Sequence, residues 1–263
     1  MIELTRRGNG RPLLMIHGLG GSTRSWDTIV EPLGRQRELL LFDLPGHGRS
    51  AAEADSGTFA GLTRSVAAMI EAEGIKGVDM VGSSMGARLV LELARRGVAG
   101  NVVALDPGGF WKGWERVFFR STLAASIGLL RVLKPTLGKL GRNAAARTAL
   151  LAQLSARPWA LDGDAVATEL ESFVATTTFD ALVRDLATGP MQRGPSSGGG
   201  RIVIGWGRHD RLCLARQAKR AMAAFPEAQL HWFEHSGHFP MWDEPAETVA
   251  LILEATRGDA RAI

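Results

Sequence analysis

A single cysteine, Cys213, in a chain of 263 residues allows no internal disulfide, and without a partner thiol it forms no metal-binding pattern. Its plain reading is a small, buried apolar side chain. No apolar run approaches the roughly 18 residues needed to cross a bilayer, so no membrane span is expected. The opening MIELTRRGNGRP has basic residues but lacks the apolar stretch of about 7 to 15 residues that would follow them in a secretory leader. A cytoplasmic protein is expected. Despite a net charge of +4, no Lys/Arg-rich run of about 5 to 8 residues occurs, which removes the usual footprint of a nucleic-acid binder. The charge excess is local, because residues 110–195 hold 11 basic and 7 acidic side chains while the rest is balanced.

What is present is ordinary globular material, 45% hydrophobic and 22% charged. Domains usually have roughly 100 to 200 residues, so this length predicts one large domain, or a core carrying an insertion. Short β-rich runs occur at 13–16, 38–42, 78–81, 101–105, 201–206 and 229–233. They alternate with amphipathic stretches at 62–73, 87–96, 215–225 and 246–255, a pattern that predicts a doubly wound parallel sheet covered on both faces. The alternation breaks after Asp106, where about 90 residues pass without a strand signal. Phe118, Leu123, Ile127 and Leu130 recur there at helical spacing, so the break reads as an inserted helical segment. GPSSGGGR (194–201) reads as its flexible exit.

In such sheets the ligand crevice lies beyond the carboxyl ends of the strands. The loops there are HGLGG (17–21), DLPGHGRS (43–50), GSSMG (82–86), GRHD (207–210) and HSGHF (235–239). GSSMG fits Gly-x-Ser-x-Gly, in which a serine sits on a tight strand-to-helix turn with glycines on either side to give it room. A second match, around Ser196 (194–198), has neither strand before it nor helix after it, so context selects Ser84 as the nucleophile. A serine hydroxyl needs a base, and the base needs an acid to orient it. His238, in a Gly-containing loop after the last strand, is the candidate base. Asp210 is the candidate acid, with Asp106 as its rival. The backbone amides of Leu19 and Met85 are the candidate oxyanion donors. His17, Asp43, His47 and Arg49 read as loop braces.

Taken together these loops resemble the α/β-hydrolase superfamily, in its lid-bearing branch of esterases, C–C bond hydrolases, cofactor-free haloperoxidases and epoxide hydrolases. HGLGGSTRSW resembles the oxyanion loop, GSSMGA the nucleophile elbow, GRHD the acid turn, and SGHFPMWDEP the histidine loop with its trailing acidic-Pro signature. The resemblance implies the α/β-hydrolase fold, with a mainly parallel eight-stranded sheet. It also implies a core over 1–109 and 196–263, a helical lid over 110–195, and neither metal nor cofactor. Serine at position 84, where epoxide hydrolases and haloalkane dehalogenases carry Asp, disfavours those branches. Ser83 and Gly86-Ala87, where C–C bond hydrolases carry Asn and a Gly-Gly pair, make that branch a weaker match.

The expected activity is hydrolysis of a small to medium, largely apolar carboxylic ester. C–C bond, thioester or lactone hydrolysis are alternatives with the same machinery, and a weakly or non-catalytic small-molecule binder is the alternative of another class. Trp111, Trp114, Phe118, Trp159 and Met241 are the candidate pocket residues, and a small-molecule substrate is the expected partner. The oligomeric state stays open.

Overall fold

The computed structural model describes residues 2–258. Seven strands form one sheet: β1 (Thr5–Arg7), β2 (Arg11–Ile16), β3 (Arg37–Leu41), β4 (Asp79–Ser83), β5 (Val102–Leu105), β6 (Ile202–Gly207) and β7 (Gln229–Phe233). Their order is β1-β3-β2-β4-β5-β6-β7, and every pairing is parallel except β1 against β3. The eighth strand implied by the family resemblance has no counterpart among the described residues. The N-terminal strand, at Thr5–Arg7, matches none of the β-rich runs read in the sequence. As a half-exposed edge strand, it lacks the apolar signature by which the other six were legible.

Buried on both faces, the inner strands send alternate residues to two separate cores. Leu14, Ile16, Met80, Ala104 and Ile204 pack with α2 (Phe59–Ala72) and α3 (Met85–Arg95). Leu13, Met15, Val81, Val103 and Val203 share the opposite core with residues of α1 (Asp27–Gly34). The chain runs from β2 outward to β3 and then returns to the other side of β2 as β4. The strand order therefore reverses between β2 and β4, and the loops leaving these two strands flank the crevice expected at such a switch.

Between β5 and β6 lie α4 (Trp114–Val132), α5 (Leu137–Arg142), α6 (Ala144–Leu151), α7 (Gly163–Ala175) and α8 (Phe179–Thr188). On α4, Ile127 and Leu130 turn inward as their spacing predicts, but Phe119 rather than Phe118 completes the buried row. The sheet then closes with α9 (Ala218–Ala224), the short α10 (Pro240–Asp243) and α11 (Pro245–Ala255), of which α11 packs beside α1. The exit expected to be flexible is tied down. Ser196 Oγ donates to the carbonyl of Ala94 at 3.0 Å and Ser197 Oγ to that of Arg95 at 2.8 Å, both at the end of α3. No helix of the described residues is long and apolar enough to cross a membrane.

Candidate active site

Ser84 stands between β4 and α3 with φ 55° and ψ −113°, a conformation rare for a residue with a side chain. Two glycines make this turn sterically possible. A Cβ at Gly86 would lie 2.0 Å from the Ile16 carbonyl oxygen, and one at Gly82 would lie 2.2 Å from that of Gly86. The Ser84 amide donates to Leu105 at 2.9 Å, anchoring the turn to the neighbouring strand.

His238 joins the two groups expected to flank it. Ser84 Oγ lies 2.8 Å from Nε2, and Asp210 Oδ2 lies 2.8 Å from Nδ1. Both His238 and Asp210 are buried. Asp210 Oδ1 accepts from the amides of Leu212 at 2.8 Å and Cys213 at 2.9 Å, which leaves Oδ2 to the imidazole. The His238 amide donates to Leu154 in the insertion at 2.8 Å.

The WDEP signature has a physical role in this loop. Asp243 accepts from the Gly237 amide at 2.8 Å, the Ala156 amide at 2.9 Å and Ser155 Oγ at 2.5 Å, tying the histidine loop to the insertion. Glu244 accepts from the His235 amide and from Ser236 Oγ.

Asp106, the rival acid, is fully buried and also has positive φ, at 47°. Its Oδ1 accepts from the Gly207 amide at 2.8 Å, and no donor reaches Oδ2. Burial, reinforced by the charge of Asp210, holds the Asp106 carboxyl well above the usual carboxylate range. Two adjacent buried carboxyls do not both ionise. A neutral Asp106 uses Oδ2 as a donor toward Asp210, which explains why that atom lacks a donor of its own.

Cys213 shares this neighbourhood, and its ligand atom, with those of Asp210 and His238, could hold a metal. Burial, with the Asp210 and Glu115 charges, pushes its thiol well above the ordinary value. The imidazole is also already engaged at both nitrogens.

On the β2 side, Gly18 passes so close to the serine that a Cβ there would lie 3.2 Å from Ser84 Cβ. The next amide, Leu19, and that of Met85, the first residue of α3, donate to no acceptor among the described residues. An unsatisfied amide is inherent to a helix start, and such donors are available to a ligand oxygen. His17 Nδ1 lies 2.8 Å from the Gly18 carbonyl, and Nε2 accepts from the Leu44 amide at 3.0 Å. Burial lowers the pKa of His17, consistent with a neutral brace. Asp43 accepts from the amides of Thr23 and Arg49. The His47 ring approaches the Pro45 carbonyl, and burial drives its pKa down to about 3.

A cavity opens over Ser84, Met85 and His238. It is lined chiefly by the insertion, through Phe119, Leu123, Ile127 and Leu130 of α4, Leu150 and Leu151 of α6, Leu170 and Phe173 of α7, and Phe179 and Leu186 of α8. Leu19, Arg88, Trp111, Leu154, Leu212 and Phe239 also line it. Of the five expected pocket residues, Trp111 lines it, stacked on Phe119 at 4.2 Å between ring centroids, and the other four do not.

Trp114 is 58% exposed beneath the Arg216 guanidinium, with Phe118 edge-on at 5.9 Å on the outer side of α4. Trp159 is 55% exposed on a turn whose carbonyl accepts from Arg147. Met241 is buried, but α10 directs its sulfur to Ser83 Oγ, 3.9 Å away, beneath the elbow. The aliphatic lining and Arg88 went unread in the sequence. The lining was signalled by leucine spacing on α4 and α6, whereas Arg88 shares its face of α3 with Glu92 and Arg95 and carried no such signal.

The insertion also grips the loop after β2. Ser172 Oγ donates to the Gly20 carbonyl at 2.9 Å, and Ser25 Oγ donates to Glu169 Oε1 at 2.7 Å. Burial raises the Glu169 pKa to about 7, with Asp27 adding to the rise and Arg24 and the Ser25 bond opposing it. Between about pH 4.5 and 7 the folded chain holds a proton that the unfolded chain has released, so stability falls as pH rises and levels off above 7. Ionising Glu169 in the fold costs about 3 kcal/mol. Glu169→Gln is therefore expected to remove roughly that much of the decline, read as urea-unfolding free energies of both proteins at pH 5 and pH 8.

The doubly wound sheet with its serine elbow defines the class, the α/β-hydrolase fold. Residues 13–251 match the model of the alpha/beta hydrolase family, and the chain belongs to that family. It is 28% identical to the dihydrolipoyllysine-residue acetyltransferase component of the acetoin cleaving system of Cupriavidus necator, over 98% of this chain and 67% of that one. It is 25% identical to the 2-hydroxy-6-oxononadienedioate/2-hydroxy-6-oxononatrienedioate hydrolase of Comamonas testosteroni, over 96% and 90%. A thermophilic esterase from Thermogutta terrifontis has the same fold, with a TM-score of 0.74 at 16% identity over 96% of this chain and 92% of that one. Family membership supports a hydrolase.

Proposed function

We propose that the protein is a serine hydrolase that cleaves a small to medium, largely apolar carboxylic ester through an acyl-enzyme. The observation that carries this reading is the continuous hydrogen-bonded path Ser84–His238–Asp210 at the floor of an aliphatic cavity. Ser84 Oγ attacks the ester carbonyl while His238 Nε2 takes its proton. Nδ1 keeps its own proton, held by Asp210. The Leu19 and Met85 amides receive the oxyanion, each such donor contributing about 3 to 4 kcal/mol to barrier lowering. His238 then protonates the departing alcohol. Water, deprotonated by the same imidazole, releases the acid from Ser84.

Residues 110–195 act as a lid. Their apolar side chains exclude water and receive the apolar part of the substrate. The name of the Comamonas relative favours a second reading, C–C bond hydrolysis of a ring-fission product by the same three residues.

The test is intact mass after treatment with a fluorophosphonate, together with release of 4-nitrophenol from short acyl esters. One adduct on the wild type, none on Ser84→Ala, and a burst of 4-nitrophenol are expected. A wild type that takes no adduct would be a binding protein of the same fold. A ring-fission dienoate cleaved faster than every ester would move the assignment to C–C bond hydrolysis.

A further inference from the structure

Arg88 lies on α3 four residues after Ser84 and lines the same cavity, yet it is only 3% exposed. Its Nε donates to Gln192 Oε1 at 3.3 Å and one Nη2 proton goes to the Pro190 carbonyl at 2.7 Å. The Phe59 ring lies 4.2 Å from its Cζ. Nη1 and the second Nη2 proton have no acceptor among the described residues, and no carboxylate there stands at ion-pair distance. The acids closest in charge terms are engaged elsewhere. Glu92 accepts from Arg95, Arg96 and Gln192, and Asp185 accepts from the Phe59 amide. Arg116 adds an unfavourable charge.

A guanidinium withdrawn from water without an anion is costly, and burial lowers its pKa to about 10, which still leaves it charged at neutral pH. A cation maintained at that cost beside a nucleophile calls for an anionic partner. We propose that the cavity takes a substrate bearing a carboxylate, which pairs with Arg88 while the ester carbonyl lies against Ser84.

The dimensions suit a compact molecule. Four helical residues rise about 6 Å, and helical side chains lean toward the N-terminus, which carries Arg88 back toward the turn of Ser84. That spacing fits a carboxylate a few bonds from the scissile carbonyl, as in a monoester of a short dicarboxylic acid. The planar fork of arginine, with free Nη1 and Nη2 protons, suits such a group. Trp111, Leu186 and the lid leucines supply the apolar walls of the same cavity.

The inference deepens the serine-hydrolase reading, and two measurements separate their fates. In Ser84→Ala, which cannot turn over, calorimetry should show monoethyl glutarate binding at least about tenfold more tightly than diethyl glutarate. Adding Arg88→Met should abolish the difference. This result stands whether or not the protein cleaves esters.

In the active enzyme, the pairs are mono-4-nitrophenyl glutarate against 4-nitrophenyl pentanoate, and 3-carboxyphenyl against phenyl pentanoate. At least one pair should favour the acid by about tenfold in kcat/KM, chiefly through KM. Arg88→Met should lose that preference, falling much further on the acid than on the neutral ester, while Arg88→Lys, which keeps the charge, should retain part of the preference. Absence of any preference in the wild type, by calorimetry and in both kinetic pairs, overturns the proposal. So do equal losses on acid and neutral esters in Arg88→Met, which would make the arginine a strut for residues 190–192.

Discussion

Ser84→Ala is expected to lower kcat for a 4-nitrophenyl ester by about 10⁶-fold with little change in KM, and His238→Ala by a similar amount. The two residues act as one unit through a single 2.8 Å hydrogen bond, so a hydroxyl without its base and a base without its hydroxyl are about equally useless. The double variant should therefore be no slower than either single one, and the small rate left should come from the two amides and from substrate positioning. Stability should not explain the loss. Ser84 is held in its unusual backbone conformation by its own amide bond to Leu105 and by the close approach of glycines, none of which needs the hydroxyl. Alanine at a positive φ bears the same strain as serine, so melting temperatures should agree within a few degrees. A reduction below about 100-fold, measured on protein whose intact mass excludes wild-type contamination, would mean that another group forms the covalent bond.

The candidate site was legible in the sequence because each contributing loop follows a recognisable strand run, those before Leu19, Ser84 and Asp210 being largely buried. Strands covered on both faces are continuous apolar runs, and their carboxyl ends are where chemistry must sit. The six runs fall within a residue or two of β2 to β7, five of them internal and β7 an edge read from its aromatic and apolar residues. What escaped notice lacked that signature. β1 is an exposed edge, and α1 is only eight residues long and contains Pro32, so neither shows a clear period.

The pocket was read less well because aromatic side chains announce burial without direction. Phe118 and Phe119 differ by one step of about 100° around α4, enough to put one beside Trp114 on the outer side and the other in the cavity. Sequence spacing identifies the stripe, but the face it presents is chosen by the tertiary partner, here Trp111. Arg88 was hidden for the opposite reason. A charged residue on a helix is ordinarily solvated, and only the packed structure shows that residues 190–192 and Phe59 have closed over it.

The two aspartates should separate cleanly in kinetics. Asp210→Asn is expected to lower kcat by about 10⁴-fold, whereas Asp106→Asn should leave it within about threefold. The asymmetry follows from what each carboxyl accepts. Asp210 Oδ1 takes two backbone N–H groups, from Leu212 and Cys213, so the oxygen of an asparagine there stays on that side and its NH₂ faces His238 Nδ1. A donor meeting Nδ1 forces that nitrogen to accept, which puts the ring proton on Nε2, where it can no longer take the proton of Ser84.

At Asp106 the same substitution is nearly silent chemically. The neutral acid already accepts from Gly207 with one oxygen and donates toward Asp210 with the other, and an asparagine does both. Asp106→Ala removes that donor and leaves a gap beneath Asp210, so it should cost more than Asp106→Asn while remaining well short of Asp210→Asn. Single-turnover rates at several pH values would read all three. A larger loss in Asp106→Asn than in Asp210→Asn would make Asp106 the orienting acid, and the path through Asp210 would then be a structural tie between the acid turn and the histidine loop.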